Sequence, residues 1–300
     1  MRLGRERRYL VLLGLMALGL FVYGFGLGLS VLTAGLTLGL GLYGYSTIRL
    51  APLVIVADGE VAGVPFAALL DSGGQHLLVD HPVRYAATLA DAARPRPSGG
   101  ARGPALLVAD PAFDQLRNPK LDRLEGARGE VDALQGLFPA AVRLDGVYAT
   151  RAAFTARAQS ASLIHYAGHA VFDDARPERS FLVLAGADTT GRLAAEAVRG
   201  MRLNGVRLVV LSACSTLRAR GGRSGGFAGL SGALLSAGAG GVVGSLWQVS
   251  DGRAQPLMVA FHRAYQRVND PALALRQAQL QMLASDAPLS AWAGFRYAGY

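Results

Sequence analysis

A chain of 300 residues leaves roughly 250 beyond its uncharged N-terminal stretch, enough for one large domain with a proper core. The net charge of +9 is partly local, since Arg2, Arg5, Arg7 and Arg8 stand against Glu6 alone, and no compact Lys/Arg patch interleaved with aromatics follows, which argues against nucleic acid as a partner. A single cysteine, Cys214, excludes an intramolecular disulfide framework and fits a reducing compartment.

Residues 9–48 hold no charged side chain. About 20 apolar residues span a bilayer, so the stretch is too long for one ordinary helix and suits two. It is expected to form a transmembrane helical hairpin turning near residues 24–30. Gly24 and Gly28, like Gly35 and Gly39, are spaced for close helix approach in lipid. The N-terminal arginines hold that end in the cytoplasm, and two spans return the chain there. Residues 1–50 are thus expected to be a membrane anchor and 51–300 the domain. One tilted span would instead export the domain, and the glycine-rich second half can alternatively pack on the domain itself.

Beyond the anchor, residues 53–57 are an apolar run of strand type closed by the turn signal Asp58-Gly59. Residues 75–80 read as a short strand and 84–93 as a helix. The Pro-, Gly- and Arg-rich stretch 94–104 reads as a loop. A strand at 105–109 and a helix at 125–138 follow, and the Thr150 hydroxyl can cap a helix over 151–158. Strands at 162–167 and 207–213 enclose a further strand at 181–184 and a short helix. The helix-then-strand pattern repeats at 227–237 and 241–247. Amphipathic helices at 253–268 and 271–284 precede a last strand near 291–297. Alternation of strands and helices predicts an α/β fold, a mostly parallel sheet with helices on both faces. No repeats of solenoid length occur, so a helical-repeat partner would be another chain.

Two of these strands end in reactive side chains: Leu163-Ile-His-Tyr-Ala-Gly-His169-Ala170 and Leu208-Val-Val-Leu-Ser-Ala-Cys214. Ligands of open α/β sheets sit outside the carboxyl ends of the strands. A thiol attacks as its thiolate, and an imidazole beside it can take the proton, so the two read as a nucleophile and its base. The competing reading makes Cys214 a small buried hydrophobe and His169 a hydrogen-bonded core residue. His165, inside its strand, reads as a core residue by alternation.

The stretch from about Leu53 to the C-terminus resembles the CHAT domain, a caspase-like and separase-like peptidase module. The blocks that carry the resemblance are Leu53-Val-Ile-Val-Ala-Asp-Gly-Glu with Val64-Pro-Phe-Ala-Ala-Leu, Ala105-Leu-Leu-Val-Ala-Asp-Pro, and the two strings above. Gly229-Leu, Ala237-Gly-Ala, Val242-Val-Gly-Ser-Leu-Trp-Gln-Val-Ser-Asp251 and Ala272-Leu-Ala-Leu-Arg-Gln-Ala-Gln complete them. The resemblance implies a caspase-like fold and a cysteine endopeptidase with His169 as general base or acid and Cys214 as nucleophile. It makes the backbone N–H groups of Ala170 and Cys214 the oxyanion donors. Ala170 departs from the glycine that usually follows this histidine.

Asp251 matches the position that in separase-like relatives binds a basic residue ahead of the scissile bond. Arg253 stands close enough in sequence to neutralise it, and Asp251 alternatively caps the next helix. The arginines of residues 217–226 either lower the thiol pKa, offer a self-cleavage site or form an ordinary solvated loop. No metal cluster, nucleotide loop or cofactor motif is present in the sequence.

The reading implied is a bacterial inner-membrane peptidase facing the cytoplasm, with a protein substrate, the membrane contacted through residues 9–48, and a separate regulatory or activator protein. Ala170 and Arg253 favour an alternative, a catalytically inactive pseudoprotease acting as a membrane-tethered binding module. An acyl hydrolase or transferase using the same two residues is a third reading.

Overall fold

The computed structural model describes residues 10–13, 52–57, 59–94, 103–119, 121–173, 175–187, 189–213, 229–247, 249 and 252–299. Its strands are β1 (Leu10–Leu13), β2 (Leu53–Val56), β3 (Val83–Tyr85), β4 (Ala105–Ala109), β5 (Val142–Asp145), β6 (Leu163–Ala167), β7 (Ala170–Val171), β8 (Phe181–Val183), β9 (Arg192–Ala194), β10 (Leu208–Ser212), β11 (Gly241–Ser245) and β12 (Phe295–Gly299). The α-helices are α1 (Leu77–Asp80), α2 (Leu89–Ala93), α3 (Glu125–Gln135), α4 (Arg151–Ala158), α5 (Ala195–Arg199), α6 (Leu230–Ser236), α7 (Ala254–Val268), α8 (Pro271–Ala284) and α9 (Leu289–Trp292).

The main sheet runs β1-β2-β3-β12-β11-β10-β6-β4-β5, and β7-β8-β9 form a small antiparallel sheet beside it. Every pairing in the main sheet is parallel except β11 with β12. That one reversal divides the sheet into two blocks pointing opposite ways. The carboxyl ends of β4, β6, β10 and β11 therefore share one edge of the molecule, where a parallel block presents its ligand-binding side.

Side chains alternate across the sheet, as the two-residue period of a strand requires. One face buries Leu107, Leu163, Val210 and Val243 against α3, α7 and α8. The other buries Val108, Ile164, Val209 and Val242 against α4, α5 and α6. Helices on both faces of a mostly parallel sheet are the architecture the sequence pattern predicts.

Several elements begin where their local chemistry dictates. Thr150 caps α4 by accepting from the Ala153 N–H at 3.2 Å, and Asp270 caps α8 by accepting from Leu273 at 3.0 Å, ahead of Pro271 in the first turn. Three expectations are corrected. The run at 75–80 is helical at α1 rather than a strand. Residues 84–93 are not one helix but β3, paired between β2 and β12, followed by α2 under its own cap, Thr88. The last strand starts only at Phe295, after the short helix α9.

The apolar stretch 9–48 lies mostly outside the described residues. Within them, Leu10–Leu13 pairs with Leu53–Val56 as an edge strand, and the rest of the expected hairpin lies outside the described residues. No described helix is long and apolar enough to cross a membrane.

Candidate active site

β6 ends at Ala167, and the chain turns over the ring of Tyr166 through Gly168 to present His169. A Cβ on Gly168 would lie 2.7 Å from the Tyr166 hydroxyl and 2.8 Å from Cζ, so only glycine fits there. The Tyr166 hydroxyl lies 2.8 Å from the His169 carbonyl and 2.7 Å from that of Val183, and its one proton serves both. Burial pushes the Tyr166 pKa up, so the hydroxyl remains a donor.

The His169 ring packs edge-on against Phe113, with centroids 5.4 Å apart, and its Nε2 lies 2.6 Å from the backbone carbonyl of Asp122. A carbonyl only accepts, so Nε2 carries the proton. In the neutral ring the lone pair is then on Nδ1, the nitrogen left to act as a base. The segment bearing Asp122 is tied down by Asp110 at the end of β4. This buried carboxylate accepts from Arg123 and, at 3.0 Å, from Arg128. Asp110 itself adopts a left-handed φ of 39°, and its N–H bonds the Ala167 carbonyl at 3.0 Å. Adjacent strand ends are thereby joined at the residue before Gly168.

Ala170 opens β7. The bond from the Val183 N–H to the His169 carbonyl, with Ala170 opposite Leu182, makes Ala170 a non-hydrogen-bonded pair of this ladder. Its N–H therefore points away from β8, towards the side of β7 that no described strand pairs.

Beside these residues, between the ends of β6, β10 and β11, lies a cavity of about 40 Å³ bounded by Glu130, Gly168, Ser212, Ala213, Ser245 and Phe295. Ser245 Oγ lies 3.0 Å from the Ala213 carbonyl and 2.8 Å from that of Trp247, fastening the end of β10 to that of β11. Cys214 and Asp251 lie outside the described residues; their described sequence neighbours Ala213 and Gly252 both line the cavity. Arg253 is exposed and occupies the N-cap position of α7, so Asp251 stands ahead of that cap rather than at it.

His165 is fully buried, as alternation implies. It is not an isolated core histidine, however. Its Nε2 donates to Glu130 Oε1 at 2.7 Å, and its Nδ1 lies 3.0 Å from Nε2 of His262 on α7. Ser212 donates to Glu130 Oε2 at 3.1 Å. The sequence reading missed Glu130, Ser212, His262 and Asp110. A signal for Glu130 exists: it interrupts the helix stripe Ala127, Val131, Leu134 at a core position. The Asp122 carbonyl leaves no such signal, since every residue carries one. Among the described residues no group of three His, Cys, Asp or Glu side chains is arranged to hold a metal ion.

The CHAT domain model matches residues 32–300, beginning inside the apolar stretch. No match was found among curated proteins. Among solved structures, separase in the separase–securin complex of Saccharomyces cerevisiae shares the fold with a TM-score of 0.53 and 12% identity, covering 83% of this chain and 15% of that one. Gingipain R, the Arg-specific cysteine proteinase of Porphyromonas gingivalis, matches with a TM-score of 0.45 and 12% identity over 66% of this chain and 46% of that one. The chain thus spans less than half the length of either protein, and at such identity the likeness is one of fold. With the family model covering both faces of the sheet and the edge that carries His169, the chain belongs to the CHAT domain family.

Proposed function

We propose that this chain is a cysteine endopeptidase that cleaves specific protein partners through His169 and Cys214. The observation that carries the reading is the fixed His169 imidazole. Its Nε2 proton is committed to the Asp122 carbonyl, so its lone pair is on Nδ1, at the end of a strand paired in parallel with β10. The last registered pair of these two strands is Ala167 with Ser212, and in sequence His169 and the chain's only cysteine each follow two residues later.

In this reading His169 takes the thiol proton and the thiolate attacks the peptide carbonyl carbon. The oxyanion that forms meets the N–H groups of Ala170 and Cys214. Collapse expels the amine, which leaves with the proton from His169. Water, deprotonated in turn by His169, then hydrolyses the thioester and returns the thiol. Asp251 would grip a basic side chain ahead of the scissile bond, with Arg253 competing for it.

The test is the pH dependence of iodoacetamide alkylation of the full chain, in which Cys214 is the sole thiol. Rapid labelling well below the free thiol value of about 8.5, slowed at least about tenfold by His169→Ala, is the expected result. Labelling that follows a free thiol and ignores that substitution would sink the peptidase reading in favour of a binding module without turnover.

A further inference from the structure

The carboxylate of Glu130 touches two strands at once. It is 3% exposed, faces the sheet from α3, and accepts from His165 on β6 through one oxygen and from Ser212 on β10 through the other, at 2.7 and 3.1 Å. His165 is paired with Val210 and Ala167 with Ser212, so the two contacts cross the seam between the strands at the third and the last of its five rungs. In sequence, His169 follows the end of β6 by two residues and Cys214 follows the end of β10 by two.

Behind this bridge, His262 meets the other nitrogen of His165, and its ring stands edge-on to Phe138 and Phe261 at 5.4 and 5.1 Å. Its Nδ1 has no hydrogen-bond partner among the described residues. Burial, and after it the neighbouring His165, push the His262 pKa well below the ordinary histidine value, so that ring is neutral.

A buried polar chain is not what close packing requires. Apolar side chains of similar volume would fill the layer at no loss, and often at a gain, in stability. What a carboxylate adds is direction, because its two oxygens hold two donors at a fixed bite.

We propose that Glu130 is a positioning residue: through His165 and Ser212 it clamps the ends of β6 and β10 at the spacing that proton transfer between His169 and Cys214 requires. The assignment rests on the peptidase reading above. Glu130 acts through the strands and takes no part in bond making.

The test compares the full chain with Glu130→Ala, Glu130→Gln and Ser212→Ala. Two quantities are read: the pH profile of Cys214 alkylation, and amide hydrogen exchange at residues 165–169 and 210–213. A glutamine carboxamide can accept from His165 and donate to the Ser212 oxygen, so it should restore the clamp. The expected result is labelling slowed at least about tenfold near pH 6.5 in Glu130→Ala, with an apparent pKa moved towards the free thiol and faster exchange at both strand ends. Glu130→Gln should stay within about threefold of the parent, and Ser212→Ala should fall between.

A Glu130→Ala variant that is merely less stable, with the parent's pH profile and local exchange, overturns the proposal. Should that variant fail to fold, Ser212→Ala decides, because it leaves the His165–Glu130 pair intact; a parent-like profile and exchange would be the overturning result. If the parent thiol itself proves unactivated, the peptidase reading fails separately. Exchange then still judges the clamp: acceleration in Glu130→Ala but not in Glu130→Gln upholds it, and equal rates in all variants overturn it.

Discussion

The two faces of the main sheet are built by one rule and put to different uses. Towards α4, α5 and α6, the strands turn Val108, Ile164, Val209, Leu211 and Val242 into a layer closed by Phe154, Val198 and Leu234. Its polar members include Tyr166, whose hydroxyl is shared between the carbonyls of His169 and Val183. Towards α3 and α7, the alternate residues of the same strands place His165 and Ser212 among leucines and valines, and the helices answer with Glu130 and His262. Apolar contacts are non-directional and tolerate exchange among residues of similar volume. Hydrogen bonds between buried groups are directional and lose heavily when one partner goes. The first face therefore supplies stability, whereas the second specifies where two strand ends stand.

The largest expected effect lies on the apolar face. Ile164→Ala removes a fully buried side chain and should cost about 2–5 kcal/mol in denaturant unfolding. Alkylation of Cys214, corrected for the folded fraction, should be unchanged. Slower labelling in the folded protein would show that this face shapes the site too, and would end the division of labour.

Gly168→Ala sharpens the same comparison at the point where the faces meet. The new methyl would fall 2.7 Å from the Tyr166 hydroxyl and 3.1 Å from Pro111, so the ring or the backbone bearing His169 has to move. Overpacking of this kind costs about 1–3 kcal/mol. Labelling of Cys214 should suffer more than stability does, because the displaced group is the proposed base. Adding Tyr166→Phe removes the colliding oxygen and should recover part of the rate. Strictly additive effects of the two changes would place the strain elsewhere.

How much of this was legible beforehand depended on whether an element carries its own period. The strand at Ala105–Ala109 and the helices Arg151–Ala158 and Pro271–Ala284 stand where the sequence puts them, the first as an apolar run of strand length between loop signals and the helices behind the local caps Thr150 and Asp270. Residues 75–80 and 84–93 were misread because apolar runs this short have no period to decide between helix and strand. For Val83–Tyr85 the decision comes from distant pairing, Arg84 opposite Val54 on one side and Tyr297 on the other. Within the site, the strand-end position of His169 is visible in the sequence. Its partner is a peptide carbonyl, which no residue type betrays. Glu130 and His262 are visible only as polar intruders in apolar stripes, and their meeting through His165 depends on two helices packing on one face.

The smallest effect tests whether the polar face is as dry as its geometry implies. His262 is enclosed by Phe138, Phe261 and His165, with Glu130 beyond, and burial holds its pKa well below the ordinary value of about 6.5. Above that pH the ring is neutral in both native and unfolded chains and contributes no pH dependence. As pH falls below it, the unfolded chain binds a proton that the native one refuses, so stability drops by about 1.4 kcal/mol per pH unit until the native value is reached. His262→Gln abolishes this titration while keeping a donor within reach of His165. Unfolding free energies measured between about pH 5 and 7.5 should therefore fall less steeply in the variant, by up to one proton's worth of slope. Parallel curves would mean that His262 already takes up its proton in the native state. Water would then reach the layer beneath α7, and a carboxylate clamp there would be holding its strands in a far wetter medium than the apolar face across the sheet.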